Sequence, residues 1–98
     1  MGRDVFPGFI KLHILHHASK EAVYGLWLIE ELAVHGYKLS PGTLYPILHK
    51  LEQESLLKSY SENHQGKIRK YYKTTAEGNR SLKEAKDKLQ IMVKEIMD

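Results

Sequence analysis

The stretch that most constrains this chain lies at its middle: Ser40-Pro41-Gly42-Thr43-Leu44-Tyr45-Pro46. Serine can cap a helix start, and proline at the first helical position sacrifices nothing, because that amide has no intrahelical acceptor. A helix is therefore expected to begin at residue 41. Leu44, Ile47, Leu48 and Leu51 follow at i, i+3, i+4 and i+7, which makes one buried stripe. Thr43, Tyr45, His49, Lys50 and Gln53 take the opposite face. Pro46 conflicts with the pattern, since it removes an amide donor inside the helix. A distorted first turn or a kink is expected there.

The other elements arrange themselves around this helix. Pro7-Gly8 precedes a first helix over about 8–18, whose Phe9, Ile10, Leu12, Ile14 and Leu15 spread around its circumference. A helix apolar on several faces must be covered on several faces, which suggests a partner chain. A second helix, about 23–35, carries Leu28, Ile29 and Leu32 on one stripe and stops at Gly36. Two short aromatic-rich segments, about 56–62 and 68–74, flank Asn63-His64-Gln65-Gly66-Lys67 and form a hairpin with a polar tip. Thr75 caps a long final helix, about 76–97, in which Leu82, Ala85, Leu89, Met92 and Ile96 recur at 3, 4, 3, 4, with Val93 widening the stripe. Its remaining surface is charged. Either it is a dimerisation arm, the reading preferred, or it packs back on its own first helix.

This order (helix, helix, capped helix, hairpin, long helix) describes a mainly α, α+β fold: a winged helix-turn-helix with a long C-terminal dimerisation helix. Residues 1–75 make the first part and 76–98 the second, in one compact unit. Ninety-eight residues leave no room for a second independent core.

Charge narrows the function. The net value is only +3, from 15 Lys+Arg and 12 Asp+Glu. Residues 1–55 sum to −1, with Arg3, Lys11, Lys20, Lys38 and Lys50 against six acids, and residues 76–98 balance. Residues 56–75 hold Lys58, Lys67, Arg69, Lys70 and Lys73 against Glu62 alone, a local +4. Concentrated positive charge attracts a polyanion, although lysine on a strand edge also blocks aggregation. With no cysteine, disulfides and thiolate metal sites are excluded, which suits the cytoplasm. No apolar run approaches the ~18 residues a bilayer span needs, and no basic-then-apolar leader is seen, so no membrane association is expected.

Several residues together carry a family resemblance. Tyr24-Gly25, Leu28-Ile29, Leu32, the run at 40–46, Leu48, Leu51-Glu52 and Leu56-Leu57 resemble the PadR family of transcriptional regulators, and Arg69-Lys70-Tyr71-Tyr72 with Thr75 and Gly78 matches the wing and last helix of that family. The short tail is similar to its small subgroup with a single C-terminal helix. The resemblance implies a homodimeric, DNA-binding repressor. Against the family pattern, Ser55 replaces a usual glycine, Thr74 a buried leucine, His17 a leucine and Trp27 a polar residue. The turn at Ser55 must then tolerate a side chain, and Thr74 should weaken the wing's anchor.

Double-stranded DNA is the expected partner, read as a pseudo-palindromic operator by two recognition helices about 34 Å apart. In the third helix, Ser40 and Thr43 are candidates for phosphate and Tyr45, His49 and Lys50 for the major groove. Ser40 could serve only as a cap, and Tyr45 could instead pack on the second helix. In the wing, His64, Gln65, Lys67 and Arg69 would meet the adjacent backbone or minor groove. Phe9, Leu12, Leu82, Ala85, Leu89, Met92, Val93 and Ile96 are the candidate dimer contacts. A small-molecule effector would lie at the dimer centre, near Phe9, Met92 and Ile96. Trp27 either covers a neighbouring helix or rims a pocket.

Rival functions have thinner support. His13, His16 and His17 stand at i, i+3 and i+4, a spacing able to gather imidazoles around an ion, yet no carboxylate or cysteine is near them in sequence. No cofactor or resident metal is expected, and these three are the candidate ligands of a metal-responsive alternative. A winged helix used for protein contact is the other alternative. The chain has no cysteine nucleophile, phosphate loop, nucleophile elbow or His-Glu-x-x-His pair, and Glu30-Glu31 and Glu52/Glu54 are spaced as solvated faces. It is not expected to be an enzyme.

Overall fold

The computed structural model describes residues 6–98, so Arg3, counted in the charge balance, lies outside the described residues. The central helix, α3 (Pro41–Gln53), starts as its sequence demands, with Ser40 extended at φ −85° and ψ 162°. The Ser40 carbonyl accepts from the amides of Thr43 and Leu44 at 3.0 Å each. Leu44, Leu48 and Leu51 are buried, and the helix continues through Pro46.

Both ends of the helix-turn-helix pair are closed by left-handed residues. In α2 (Gly25–Val34), Tyr37 N donates to Leu32 O and Gly36 N to Ala33 O, with Gly36 at φ +89°. At the end of α3, Leu56 N donates to Leu51 O and Ser55 N to Glu52 O, with Ser55 at φ 63°. This is the same six-to-one and five-to-two pairing, which satisfies carbonyls the helix leaves open. Ser55 thus adopts the conformation that a glycine would take without strain.

The sheet has one strand more than the sequence pattern suggests. Val23 and Tyr24 form β1 (Val23–Tyr24), antiparallel to β3 (Lys67–Thr74) through Val23↔Tyr72 and Tyr24↔Tyr71. The order is β1-β3-β2, with β2 (Leu57–His64) on the far side. Tyr24 is therefore extended, and α2 starts at Gly25 rather than near 23. The hairpin also closes more tightly than its polar loop implies. β2 and β3 pair from Leu57↔Thr74 to His64↔Lys67, leaving only Gln65 and Gly66 as the loop, at φ 53° and 85°. Two successive positive φ values match the twist of the flanking strands. Asn63 Oδ1 accepts from Gly66 N at 3.0 Å and holds the turn.

Two long helices complete the chain. The first, α1 (Phe6–Lys20), starts before residue 8 and includes Pro7 and Gly8 in its first turn, where proline's missing amide is harmless. Its inner face supplies Ile10, Ile14, Leu15 and Ala18 to a core shared with Leu28, Leu32, Leu44, Leu48, Leu51, Leu57 and Tyr72. The last, α4 (Ala76–Met97), is capped by Thr75, whose hydroxyl accepts from Gly78 N at 2.9 Å. Gly78 presses on the backbone of Leu56, where a Cβ would overlap its carbonyl oxygen. Thr74 stays buried because its hydroxyl donates to Asn79 Oδ1 at 2.7 Å. The polar substitution is thus accommodated by a local hydrogen bond. Leu82 is 5% exposed against the core, whereas every residue from 91 to 98 is exposed. No helix among the described residues is long and apolar enough to cross a membrane.

Candidate nucleic-acid interface

The N-terminal end of α3 presents hydroxyl groups outward. No side-chain bond caps it; instead Ser40 Oγ lies 3.3 Å from Thr43 Oγ1, both exposed. His49 and Lys50 are exposed further along. Tyr45 does two things: its ring lies against the start of α2, so that a Cβ on Gly25 would overlap the phenol, and it remains 38% exposed. Packing on α2 and facing the groove are therefore compatible for Tyr45.

Alternation along the hairpin separates its two faces. Leu57, Ser59, Tyr72 and Thr74 turn toward the helices, and Ser59 donates to Glu52 Oε2 at 2.6 Å. Glu52 is thus engaged rather than simply solvated. The outer face carries an aromatic ladder: Tyr60 stacks on Tyr71 at 5.6 Å, and Tyr24 meets Tyr71 edge-on at 5.7 Å. Arg69 lies over the Tyr24 ring, with Cζ 4.1 Å from its centroid. A hydrogen bond with Tyr71 holds the guanidinium more firmly in its charged form. Near the tip, His64 Nε2 lies 3.2 Å from the Tyr71 hydroxyl and 3.1 Å from Glu62 Oε2.

One open cleft of about 460 Å³ lies between the start of α2, α3 and the wing. Of the residues expected to meet DNA, Tyr45, His64, Gln65, Lys67 and Arg69 line it, and Ser40, Thr43, His49 and Lys50 do not. Tyr24, Leu26, Ile68 and Lys70 also line it. Tyr24 is not among the sequence candidates because the apolar pattern places it in a helix. As a strand residue paired with Tyr71, it supplies the platform on which Arg69 is oriented.

The dimer candidates fall into two groups. Phe9, Leu12, Leu82 and Leu89 border a groove of about 220 Å³ between α1 and α4, together with His13, His16 and Lys86. Leu82 is already buried within its own chain, and Ala85 is half-buried. Met92, Val93 and Ile96 are exposed on the projecting end of α4, joined by Ile91 and Met97.

The histidines group differently from their sequence spacing. His13 and His17 of α1 approach His35 at the end of α2, each ring offering one nitrogen within 4.8 Å of the others. His16 is not in this group. Glu31 supplies the carboxylate that local sequence lacks: its Oε2 lies 3.1 Å from His35 Nε2 and 3.6 Å from His17 Nε2. Burial, then the neighbouring His35 and His17, lower the His13 pKa; burial and Lys20 lower that of His16. Trp27 is half-buried and meets His17 edge-on at 5.2 Å, so it covers α1.

Comparison with known proteins agrees with this architecture. The sequence model of the family described as "Transcriptional regulator PadR-like family" matches residues 14–84. Transcriptional regulator Rv3488 of Mycobacterium tuberculosis is 44% identical over 95 residues, 97% of this chain and 89% of that protein. A PadR family transcriptional regulator from Eggerthella lenta has a similar crystal structure, with TM-score 0.84 and 34% identity over 98% of this chain and 85% of that one. A PadR-like transcriptional regulator from Bacillus cereus gives TM-score 0.83 and 32% identity, over 91% and 88% of the two chains.

Proposed function

The chain belongs to the PadR-like family of transcriptional regulators, which act by binding DNA, and from that premise we propose that it is a cytoplasmic repressor that binds a pseudo-palindromic operator as a homodimer. The observation that carries this reading is the cleft in which Tyr45 of α3, Tyr24 of β1 and Arg69 of the wing converge. It joins a recognition helix to a pre-oriented cation, as DNA binding through both grooves requires. Arg69 is positioned by the Tyr24 face, so its side chain gives up less freedom on meeting the duplex.

In this reading Ser40 and Thr43 donate to phosphate, where the positive end of the α3 dipole also acts. Tyr45, His49 and Lys50 enter the major groove. His64, Gln65, Lys67 and Arg69 follow the adjacent backbone or minor groove. The exposed apolar end of α4, with Phe9 and Leu12 on α1, supports pairing of two chains; Leu82, Ala85 and Leu89 continue that stripe inward. A small-molecule effector would sit at the centre of such a dimer, near Phe9, Met92 and Ile96; of these only Phe9 lines the groove between α1 and α4, and Met92 and Ile96 are exposed beyond it.

A gel shift with the DNA upstream of the protein's own gene tests the proposal. A discrete complex is expected at low salt, weakened by Lys50→Ala and Arg69→Ala. Absence of any complex with duplex DNA would overturn it and favour a protein-contact module.

A further inference from the structure

The cluster of His13, His17 and His35 is unnecessary for reading DNA, since it lies on α1 and at the end of α2, away from the cleft. We propose that it binds one divalent transition ion of the zinc, nickel or cobalt kind. Imidazole is a preferred ligand for these ions, and three imidazoles leave a fourth position for water or another donor.

The geometry is nearly that of a formed site. In a tetrahedral site with metal–nitrogen bonds of about 2.0–2.1 Å, ligand nitrogens stand roughly 3.3 Å apart. The three rings already offer nitrogens within 4.8 Å of one another, so small side-chain rotations close the remaining gap. His13 and His17 are one helical turn apart on α1, and His35 comes from a second element. A pair on one helix fixes an edge of the site, and a third ligand from another element completes it. The His13 and His35 rings already face each other at 4.7 Å.

The surroundings distinguish this trio from the neighbouring histidine. Glu31 stands beside His17 and His35 and contributes negative charge. A carboxylate that accepts from a ligating imidazole orients the ring and strengthens its donation. His16, although its ring lies 5.1 Å from that of His17, is outside the trio and borders the α1–α4 groove with Lys86, whose charge repels a cation. An ion held by the trio would tie α1 to the C-terminal end of α2, immediately before the turn that leads to α3.

The test is calorimetric titration of tag-free protein with zinc and with nickel at neutral pH, and titration with cobalt followed by visible absorption. One ion per chain is expected, with the intense cobalt bands of a tetrahedral nitrogen site. His35→Gln, on an exposed residue, and His17→Gln should each weaken binding by about tenfold or more, as should Glu31→Gln. His16→Gln should leave it unchanged. Circular dichroism of His35→Gln confirms that weaker binding is not a failure to fold. The proposal fails if binding is not saturable, if folded His35→Gln binds like the wild type, or if His16→Gln weakens binding as much.

Discussion

The Tyr72 hydroxyl lies in the core, on a residue with 0% exposure, and has no hydrogen-bond partner among the described residues. Burial first, and then the charge of Glu52, raise its pKa above the ordinary 10.0 of tyrosine. A raised folded-state pKa means that stability is unaffected by this group below pH 10 and falls as pH rises toward the folded value. Tyr72→Phe keeps the ring and removes the unpaired oxygen, so it should stabilise the protein by about 1 kcal/mol at neutral pH. It should also flatten the fall in stability above about pH 10. Urea unfolding at the two pH values checks both effects; a less stable phenylalanine variant would mean that the hydroxyl has a partner. Thr74 is the instructive contrast, because its buried hydroxyl is satisfied by Asn79. At the scale of single residues, a polar group in this core is tolerated or costly according to whether a neighbour meets it.

The ends of elements decide how the pieces are aimed. Gly36 and Ser55 close α2 and α3 with the same left-handed geometry. Only glycine adopts it without strain, so Ser55→Gly should stabilise the fold by roughly 1 kcal/mol, seen as a higher urea midpoint at unchanged slope. A lower midpoint would show that the serine side chain makes a compensating contact. The buried stripe Leu44, Leu48 and Leu51 is legible in the sequence because a 3.6-residue repeat persists over three turns. So is the helix start at Ser40-Pro41. β1 is not, since two residues have no period and its pairing with Tyr71 and Tyr72 is a long-range event. The turn at Gln65-Gly66 is hidden because Asn63 and His64 look like loop residues, yet both pair in the ladder. His35 escapes a sequence reading for the same reason as Tyr24. Its role depends on which element lies beside it in space, and local spacing carries no such information.

At the scale of the whole molecule, the long axis of 53 Å reflects an α4 that outruns the core. Twenty-two residues of helix extend about 33 Å, and only the first part finds cover in its own chain. The exposed Ile91, Met92, Val93, Ile96 and Met97 form an apolar end that a second copy would bury, setting two wings on one duplex. Each wing would then bring its own Arg69, so the substitution removes two cations from a dimer's DNA-facing surface. The decisive measurement is the salt dependence of affinity for operator DNA, by fluorescence anisotropy, for the wild type and Arg69→Ala. Every phosphate that is no longer neutralised makes the slope of log affinity against log salt shallower by about 0.9. Arg69→Ala should bind more weakly, with a slope shallower by about 1.8 for the dimer. An unchanged affinity and slope would mean that Arg69 of the wing does not meet the duplex.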